Sequence, residues 1–262
     1  MEETLQRFHT DGYALVPGIL DADEVGALRL AADGFMDHPE AIDPSFIEKV
    51  HGTTVLRNTQ SLSPVFCQLL GKKLFVDLAG SLLGADFGFC GQNVIRSSKG
   101  EAISIWHVDD ELEVPLPGEV PRHNPALRLP VIWFSFQIAL SDIETPDDGA
   151  TEVVPGSHYS GRVPPRNRID PDEDDLPSFA GRSAEPILCR AGDAYLFNHQ
   201  LWHRGRPNLS GKTRYLMQNQ YCRAWVLRRF GSGPHQDCHL PANEAAGLSA
   251  ETRRILGLGT RT

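Results

Sequence analysis

The sequence predicts a mainly β fold flanked by helices, in the form of a barrel or a sandwich. Short strand-like stretches, separated by turns rich in Gly and Pro, follow one another from residue 86 onward, and this spacing is typical of both architectures. Two earlier stretches, 5–42 and 63–84, carry apolar residues at helical spacing instead. No linker separates two cores, so we expect a single domain over residues 1–262.

The N-terminal part, about residues 1–84, is predicted to be mostly helical. Residues 5–42 indicate a helix, a short strand at YALVPG and a second helix with Asp21 as its N-cap. Residues 63–84 indicate one or two packed helices. The β core, about residues 85–225, contains the predicted strands 86–96, 101–109, 131–140, 151–154, 186–190, 193–199 and 213–225. A C-terminal tail, about 226–262, ends the chain, and the polar stretch 161–183 is expected to be a surface loop or a lid.

Two strands alternate in a way that indicates a polar cavity. In 131–140 the even positions are large and apolar, whereas the odd positions mix size and polarity. Side chains of a strand point to alternate faces, so we expect the even face to pack on helices and the odd face to line a cavity. In 213–221 one face carries Arg214, Gln218 and Gln220, which is unusual for a core strand and predicts a polar pocket.

Composition limits the classes of partner. The chain has 25 Lys and Arg against 34 Asp and Glu and a formal net charge of −9, which argues against binding to nucleic acid or to an anionic membrane surface. Its longest apolar run, 131–140, is too short to span a bilayer, and the first residues contain no apolar core of a signal peptide. Five scattered cysteines without a CxxC motif indicate free thiols. We expect a cytoplasmic monomer or homodimer that acts on a small molecule.

Pairs of the form His-x-Asp or His-x-Glu are candidate metal ligands, because alternate residues of an extended strand project to the same side. Composition predicts about one such pair by chance. The chain has four, at His9/Asp11, His38/Glu40, His107/Asp109 and His235/Asp237. We select His107/Asp109, because it follows a β-rich run and has a suitable histidine and arginine downstream.

Two histidines and one carboxylate form the facial triad that binds Fe(II) and leaves positions open for other ligands. The distant histidine is His203, which lies 94 residues after Asp109, and Arg214 follows it by eleven residues. An arginine pairs bidentately with a carboxylate, as a dicarboxylate co-substrate requires. The residues alone leave two alternatives open: a Zn(II)-dependent hydrolase with the same three ligands, and a non-catalytic β-barrel that binds a small molecule.

Four stretches resemble the phytanoyl-CoA dioxygenase family of Fe(II)/2-oxoglutarate-dependent oxygenases. They are RFHTDGYALVPGIL, WHVDDE, DDGATEVVPGSHYSG and AGDAYLFNHQLWHRGRPNLSGKTR, in that order. The resemblance implies a double-stranded β-helix (a jelly-roll or cupin-like core) with the N-terminal helices packed on its outer sheet. It also implies that His107, Asp109 and His203 form the catalytic Fe(II) site, and that Arg214 binds the distal carboxylate of 2-oxoglutarate.

The resemblance also suggests residues that contact the co-substrate and the substrate. Gln137 falls where the family often has a Trp near the co-substrate, and Trp133 lies four residues upstream on the same face, so both are predicted to bind 2-oxoglutarate. The candidate substrate-binding residues are Gln92, Asn93, Gln218 and Gln220.

The implied reaction consumes O₂ and 2-oxoglutarate and releases succinate and CO₂. Related halogenases replace the carboxylate ligand with a small residue, whereas this chain retains Asp109. The resemblance therefore implies hydroxylation of a small metabolite, or a related desaturation or cyclisation.

Three further features, His158, His199 and the segment 204–206, lie close in sequence to the motifs named above. His158, in the PGSH stretch, is expected to stabilise a turn, and His199 is interpreted as a histidine at a strand edge. The segment Arg204-Gly205-Arg206 departs from the Gly-Ser-Gly that often follows the distal histidine in the family. This departure removes a serine hydroxyl that helps to hold the co-substrate.

Overall fold

The computed structural model describes residues 1–109, 130–165, 176–226 and 238–258. The helices are α1 (Glu2–Asp11), α2 (Ala22–Met36), α3 (Pro64–Gln68), α4 (Lys73–Leu83), α5 (Ala242–Ala246) and α6 (Ala250–Ile255). The strands are β1 (Tyr13–Val16), β2 (Ile47–Val50), β3 (Thr53–Arg57), β4 (Gly88–Ser97), β5 (Trp133–Ala139), β6 (Thr151–Val153), β7 (Ser178–Phe179), β8 (Arg182–Ser183), β9 (Glu185–Ile187), β10 (Ala194–Phe197), β11 (His203–Gly205) and β12 (Arg214–Cys222). The five cysteines all lie within these ranges, and none of them forms a disulfide bond there. Across these ranges, no helix combines the length and the apolar composition needed to cross a membrane.

Two antiparallel sheets form the β core. The larger sheet has seven strands in the order β1-β10-β5-β12-β4-β3-β2, and the smaller has three in the order β11-β6-β9. The sheets face each other, because the hydroxyl of Thr151 on β6 accepts hydrogen bonds from Arg214 on β12 and from Tyr195 on β10, each of 3.0 Å. The mainly β fold predicted from the sequence is confirmed.

The helices cover the outer face of the large sheet. Phe134, Phe136 and Ile138, at the even positions of β5, are fully buried in one core with helical residues such as Leu28 and Leu78. A second apolar cluster lies between the two sheets and includes residues of the opposite strand faces. The alternation of side chains therefore separates a helix-facing core from the inter-sheet space, as predicted for this strand.

Helix α2 begins at the predicted N-cap. The carboxylate of Asp21 accepts a hydrogen bond from the backbone N–H of Glu24 (2.9 Å), and the carboxylate of Glu24 accepts one from the backbone N–H of Asp21 (3.0 Å). This reciprocal capping box satisfies two N–H groups that have no partner inside the helix. The sequence pattern therefore determines where the helix starts.

The N-terminal part is not wholly helical, because β2 and β3 form a hairpin that extends the large sheet beyond β4. The two turn residues, His51 and Gly52, both have positive φ values, 48° and 86°. This is the type I′ geometry whose twist matches that of the flanking strands. The hairpin was not predicted, because its first strand, IEKV, carries two exposed charged residues and has no apolar face.

One other prediction about an element was wrong. Residues 101–109 do not form a regular strand, and the structure shows only an isolated β-bridge between His107 and His203. The expected C-terminal tail contains α5 and α6, and its residues Leu248, Ile255 and Leu256 join the helix-side core. Part of the predicted loop 161–183, residues 166–175, lies outside the described residues, and the remainder contains the β7–β8 hairpin.

We expect the substitution Asp21→Ala to lower the free energy of unfolding by about 1 kcal/mol, because it removes the side-chain acceptor of the capping box. Asp21→Ser retains an oxygen acceptor and should lose much less. Urea denaturation followed by circular dichroism measures both effects. Equal unfolding midpoints for Asp21→Ala and the unaltered protein would contradict the capping role.

Candidate metal centre and active site

His107, Asp109 and His203 converge on one point. Their potential ligand atoms all lie within 4.8 Å of one another. Nε2 of His203 lies 3.4 Å from Oδ1 of Asp109, and Nε2 of His107 lies 3.7 Å from the same oxygen. Across the described ranges, this is the one cluster of His, Cys, Asp or Glu arranged to share an ion. The structure therefore brings together the three residues that the sequence analysis selected.

A β-bridge brings these candidate ligands together from distant parts of the chain. His107 and His203 exchange backbone hydrogen bonds of 2.9 and 3.0 Å, and the backbone N–H of Asp109 donates to the carbonyl oxygen of His199 at 3.0 Å. His203 begins β11, which pairs with β6 in the small sheet. The positions of the ligands are thus set by backbone pairing to a sheet.

Both imidazole rings present Nε2 to the shared point. Nδ1 of His107 lies 2.7 Å from the carbonyl oxygen of Ile105, and Nδ1 of His203 lies 2.9 Å from that of Leu201. A carbonyl only accepts hydrogen bonds, so Nδ1 carries the proton in each neutral ring and Nε2 keeps its lone pair. Contacts of this kind orient histidines that bind metals in proteins.

The protonation states also suit a cation. Burial, reinforced by the neighbouring His203, lowers the pKa of His107 to about 4, so this ring is neutral at pH 7. Burial raises the pKa of Asp109, but His203, His199 and His107 together hold that pKa below its ordinary value. A neutral imidazole and an ionised carboxylate are the forms that bind a metal ion.

Arg214 lies on β12 within the same cavity and is only 7 % exposed. Its Nη2 donates to the hydroxyl of Thr151. Among the described residues, its Nε has no hydrogen-bond partner and no carboxylate forms an ion pair with it. Burial lowers the pKa of Arg214, although an arginine side chain remains charged. Because an unpaired buried charge is costly, the geometry favours an anionic ligand at this position.

Gly149, in the DDGATEVVPGSH stretch, leaves the space that Arg214 occupies. Its φ of 80° is in the left-handed region, and an added Cβ would lie 3.2 Å from Cδ of Arg214 and 3.2 Å from Cβ of Asn208. Glycine adopts this conformation without strain. One of the four stretches that resemble the family therefore leaves room for the arginine side chain.

The cavity that contains the triad and Arg214 has a volume of about 380 Å³, within the range of small-molecule sites. Gln137, Gln218 and Gln220 line it from the large sheet. This is the polar lining that the alternation in the strand 213–221 predicted. Val55, Ile95 and Leu216 form an apolar part of the wall.

Three other candidate residues, Trp133, Gln92 and Asn93, do not line this cavity. Trp133 lines a second cavity, beside α1, so the expected contact with the co-substrate is not supported. Gln92 faces the helices, where its amide donates to the carbonyl oxygen of Phe66 and to Asn219, each at 2.9 Å; this bonding is structural. Asn93 points to the opposite face, and its amide lies 3.4 Å from Gln218.

The remaining His-x-acid pairs have no third ligand in the described residues. His38 forms an exposed ion pair with Glu40, and Asp11 pairs with Arg182. His235/Asp237 lies outside the described residues. The His-x-acid spacing by itself therefore does not distinguish the four pairs, whereas the downstream His203 and the fold that brings it to His107/Asp109 do.

His158, His199 and strand β3 lie near the two cavities. Nε2 of His158 lies 3.1 Å from the carbonyl oxygen of His9, in agreement with the turn-stabilising role expected for it. His199 lines the main cavity, although the sequence analysis interpreted it as a strand-edge residue. The sequence analysis also missed β3, from which Thr53, Val55 and Arg57 line the cavity; the alternation in TTVLR is the pattern that could have revealed them.

Arg204 and Arg206, on either side of Gly205, share one buried carboxylate. Nε of Arg204 lies 2.6 Å from Glu152, and Nη1 of Arg206 lies 2.9 Å from its other oxygen. The guanidinium of Arg204 also lies over the ring of Trp106, 5.1 Å from its centroid. The departure from Gly-Ser-Gly thus connects β11 to β6 and to the residue that precedes His107.

Known proteins resemble this chain in sequence and in fold. The family model described as Phytanoyl-CoA dioxygenase (PhyH) matches residues 8–216. The ectoine dioxygenase of Sphingopyxis alaskensis is 26 % identical over 226 residues, which are 78 % of this chain and 69 % of that protein.

Two solved structures illustrate the likeness in fold. HygX from Streptomyces hygroscopicus, with nickel, 2-oxoglutarate and hygromycin B bound, has a TM-score of 0.65 at 21 % identity, over 86 % of this chain and 88 % of that one. The epimerase SnoN, in complex with Fe³⁺, alpha ketoglutarate and nogalamycin RO, has a TM-score of 0.64 at 20 % identity, over 85 % and 83 % of the two chains. These likenesses confirm the predicted jelly-roll core.

The matched range of the family model includes the three converging residues and Arg214, and it covers most of the chain. It confirms the family, and with it the dioxygenase class, that the four sequence stretches predicted. The chain belongs to the phytanoyl-CoA dioxygenase family.

Proposed function

We propose that the protein is a non-haem Fe(II)- and 2-oxoglutarate-dependent dioxygenase that oxidises a small-molecule metabolite and releases succinate and CO₂. The observation that carries this proposal is the buried Arg214, which shares a cavity with the His-Asp-His triad and has no carboxylate partner in the described part of the chain. A zinc hydrolase would use the triad but not this arginine. A simple binding barrel would need neither.

Different side chains of the cavity would bind the metal and the co-substrate. His107 and His203 would hold Fe(II) through Nε2, and Asp109 through its carboxylate, which leaves three coordination positions open. With 2-oxoglutarate and O₂, the bound Fe(II) supplies the oxidising chemistry. Arg214 would pair with the far carboxylate of 2-oxoglutarate, and the hydroxyl of Thr151 keeps its guanidinium in place.

The wall of the large sheet would receive the substrate. Gln137 lies on β5 opposite Gln218 on β12, and we assign Gln137 to the boundary between co-substrate and substrate. The ligands of HygX and SnoN, each a 2-oxo acid together with a small molecule, support the same assignment here. Retention of Asp109 favours hydroxylation, desaturation or cyclisation. The cytoplasmic location and the monomeric or homodimeric state stay predictions.

We expect Asp109→Ala to abolish succinate release, because the triad loses its only anionic ligand. The affinity for Fe(II) should fall by more than about 100-fold, since even the loss of an outer contact to a metal ligand costs 10–100-fold. Anaerobic calorimetry and an assay of 2-oxoglutarate consumption measure the two effects. Glu40→Ala, which removes the carboxylate of the exposed His38/Glu40 pair, is the matched control and should change neither. Full turnover by Asp109→Ala would refute the site, and turnover without O₂ or 2-oxoglutarate would indicate a hydrolase.

Arg214→Ala should raise the KM for 2-oxoglutarate about 10–100-fold, because hydrogen bonds to charged groups contribute about 1.5–3 kcal/mol. Arg214→Lys keeps the charge without the planar fork and should give an intermediate value. The exposed Arg190 provides the control Arg190→Ala. As a second measurement, 2-oxoglutarate should raise the Tm of the metal-loaded protein but not that of Arg214→Ala. An unchanged KM would remove Arg214 from this role.

A further inference from the structure

The cavity carries more positive charge than the co-substrate requires. The chain has a net charge of −9, yet, histidines apart, the charged residues that line the cavity within the described ranges are Asp109, Arg57, Arg204, Arg206 and Arg214. Asp109 belongs to the triad, and the proposed function assigns Arg214 to 2-oxoglutarate. Arg204 and Arg206 are bonded to the buried Glu152. Arg57 is the cation that these assignments leave without a role.

Arg57 forms only a weak ion pair, with Glu48. Its Nε and Nη2 both donate to the same oxygen of Glu48, at 2.9 and 2.6 Å. The side chain of Glu48 is 51 % exposed, and ion pairs with solvated carboxylates are weak. The third nitrogen, Nη1, has no bond to any residue in the described ranges. The guanidinium therefore keeps the capacity to bind a second anion.

Arg57 also stands at the end of a polar row that crosses the sheet. The strand register places in one row Arg57, Asn93, Gln218 and Gln137. The adjacent row on the same face is apolar and consists of Val55, Ile95, Leu216 and Ala139. Cβ atoms of directly opposed residues are about 5 Å apart, so the first row offers a continuous series of hydrogen-bonding groups.

At the inner end of this row, a buried acceptor lacks a partner. Gln137 is 4 % exposed, and its amide nitrogen donates to the hydroxyl of Ser135 at 3.0 Å. Its Oε1 has no donor among the described residues. A buried acceptor in this state favours a ligand with a hydroxyl or amine donor.

We propose that Arg57 is a specificity-determining residue that pairs with a carboxylate of the primary substrate, while a hydroxyl or amine of the same molecule donates to Gln137. The substrate is then a small polar acid that lies along the row over the triad. A locally positive cavity attracts such an anion in spite of the negative charge of the whole protein. This inference rests on the proposed function, because 2-oxoglutarate must occupy Arg214 for Arg57 to select the second acid.

Matched pairs of compounds test the proposal. Each pair is a small amino or hydroxy acid and its primary amide, and the readout is succinate release above the rate with 2-oxoglutarate alone. We expect stimulation by acids, with kcat/KM at least tenfold higher than for the amides. Arg57→Gln should lower this acid-to-amide ratio at least tenfold, and Arg57→Lys should lower it less.

Two further variants, Glu48→Gln and Arg190→Gln, provide a second test of the contact and a control. Glu48→Gln removes the carboxylate that competes for Arg57 and should raise kcat/KM for the acids severalfold, whereas Arg190→Gln, a control at an exposed arginine, should leave the ratio unchanged. Fe(II) affinity, which depends on the triad, verifies that Arg57→Gln is folded, and Glu48→Gln tests the same contact without altering Arg57.

Three results would overturn the proposal: equal stimulation by acids and amides, an unchanged ratio in Arg57→Gln, or no stimulation by any acid of the set. The proposed function fails on a different measurement, namely the absence of any 2-oxoglutarate consumption by the Fe(II)-loaded protein. The two failures are therefore distinguishable.

Discussion

The site depends on one backbone interaction, the pair of hydrogen bonds between His107 and His203. The segment 101–109 is not a regular strand, so this bridge and the bond from Asp109 to the carbonyl of His199 fix its position. These hydrogen bonds join the segment to His199 and His203. His203 is the first residue of β11, which pairs with β6 in the small sheet. Convergence of the three candidate ligand side chains follows from this pairing, and the carbonyl contacts at Nδ1 leave Nε2 of each ring facing the shared point.

The space between the sheets concentrates polar groups that a purely structural core would avoid. Within the described part of the chain, the buried Arg214 has no carboxylate partner and the buried Oε1 of Gln137 has no donor. Such groups reduce stability unless a ligand completes them. Sites of function are where a sequence departs from the rules that favour stability, and these departures lie on the inner faces of β5 and β12. The opposite faces of the same strands form an ordinary apolar core.

The charged residues around the distal histidine show how this chain differs from the family pattern. Glu152 receives both Arg204 and Arg206, and Trp106 packs on Arg204 beside His107. A serine hydroxyl is absent at Gly205, but Arg204 adds a contact between the two parts of the chain that carry the triad. Because Glu152 neutralises Arg204 and Arg206, Arg57 is the residue that we assign to bind a substrate anion in this cavity.

Local sequence determined the features that depend on neighbouring residues. The Asp21 capping box, the two faces of β5 and β12, and the stretches that resemble the family all follow from patterns a few residues long. Sequence context had already selected His107/Asp109 and His203. Only the tertiary structure decided that these three side chains meet, that Gln137 and Trp133 on one strand face line different cavities, and that the β2–β3 hairpin brings Arg57 to the site. The physical reason is that these outcomes require pairing between strands distant in the chain, and the free energy of such pairing comes from the whole assembled sheet.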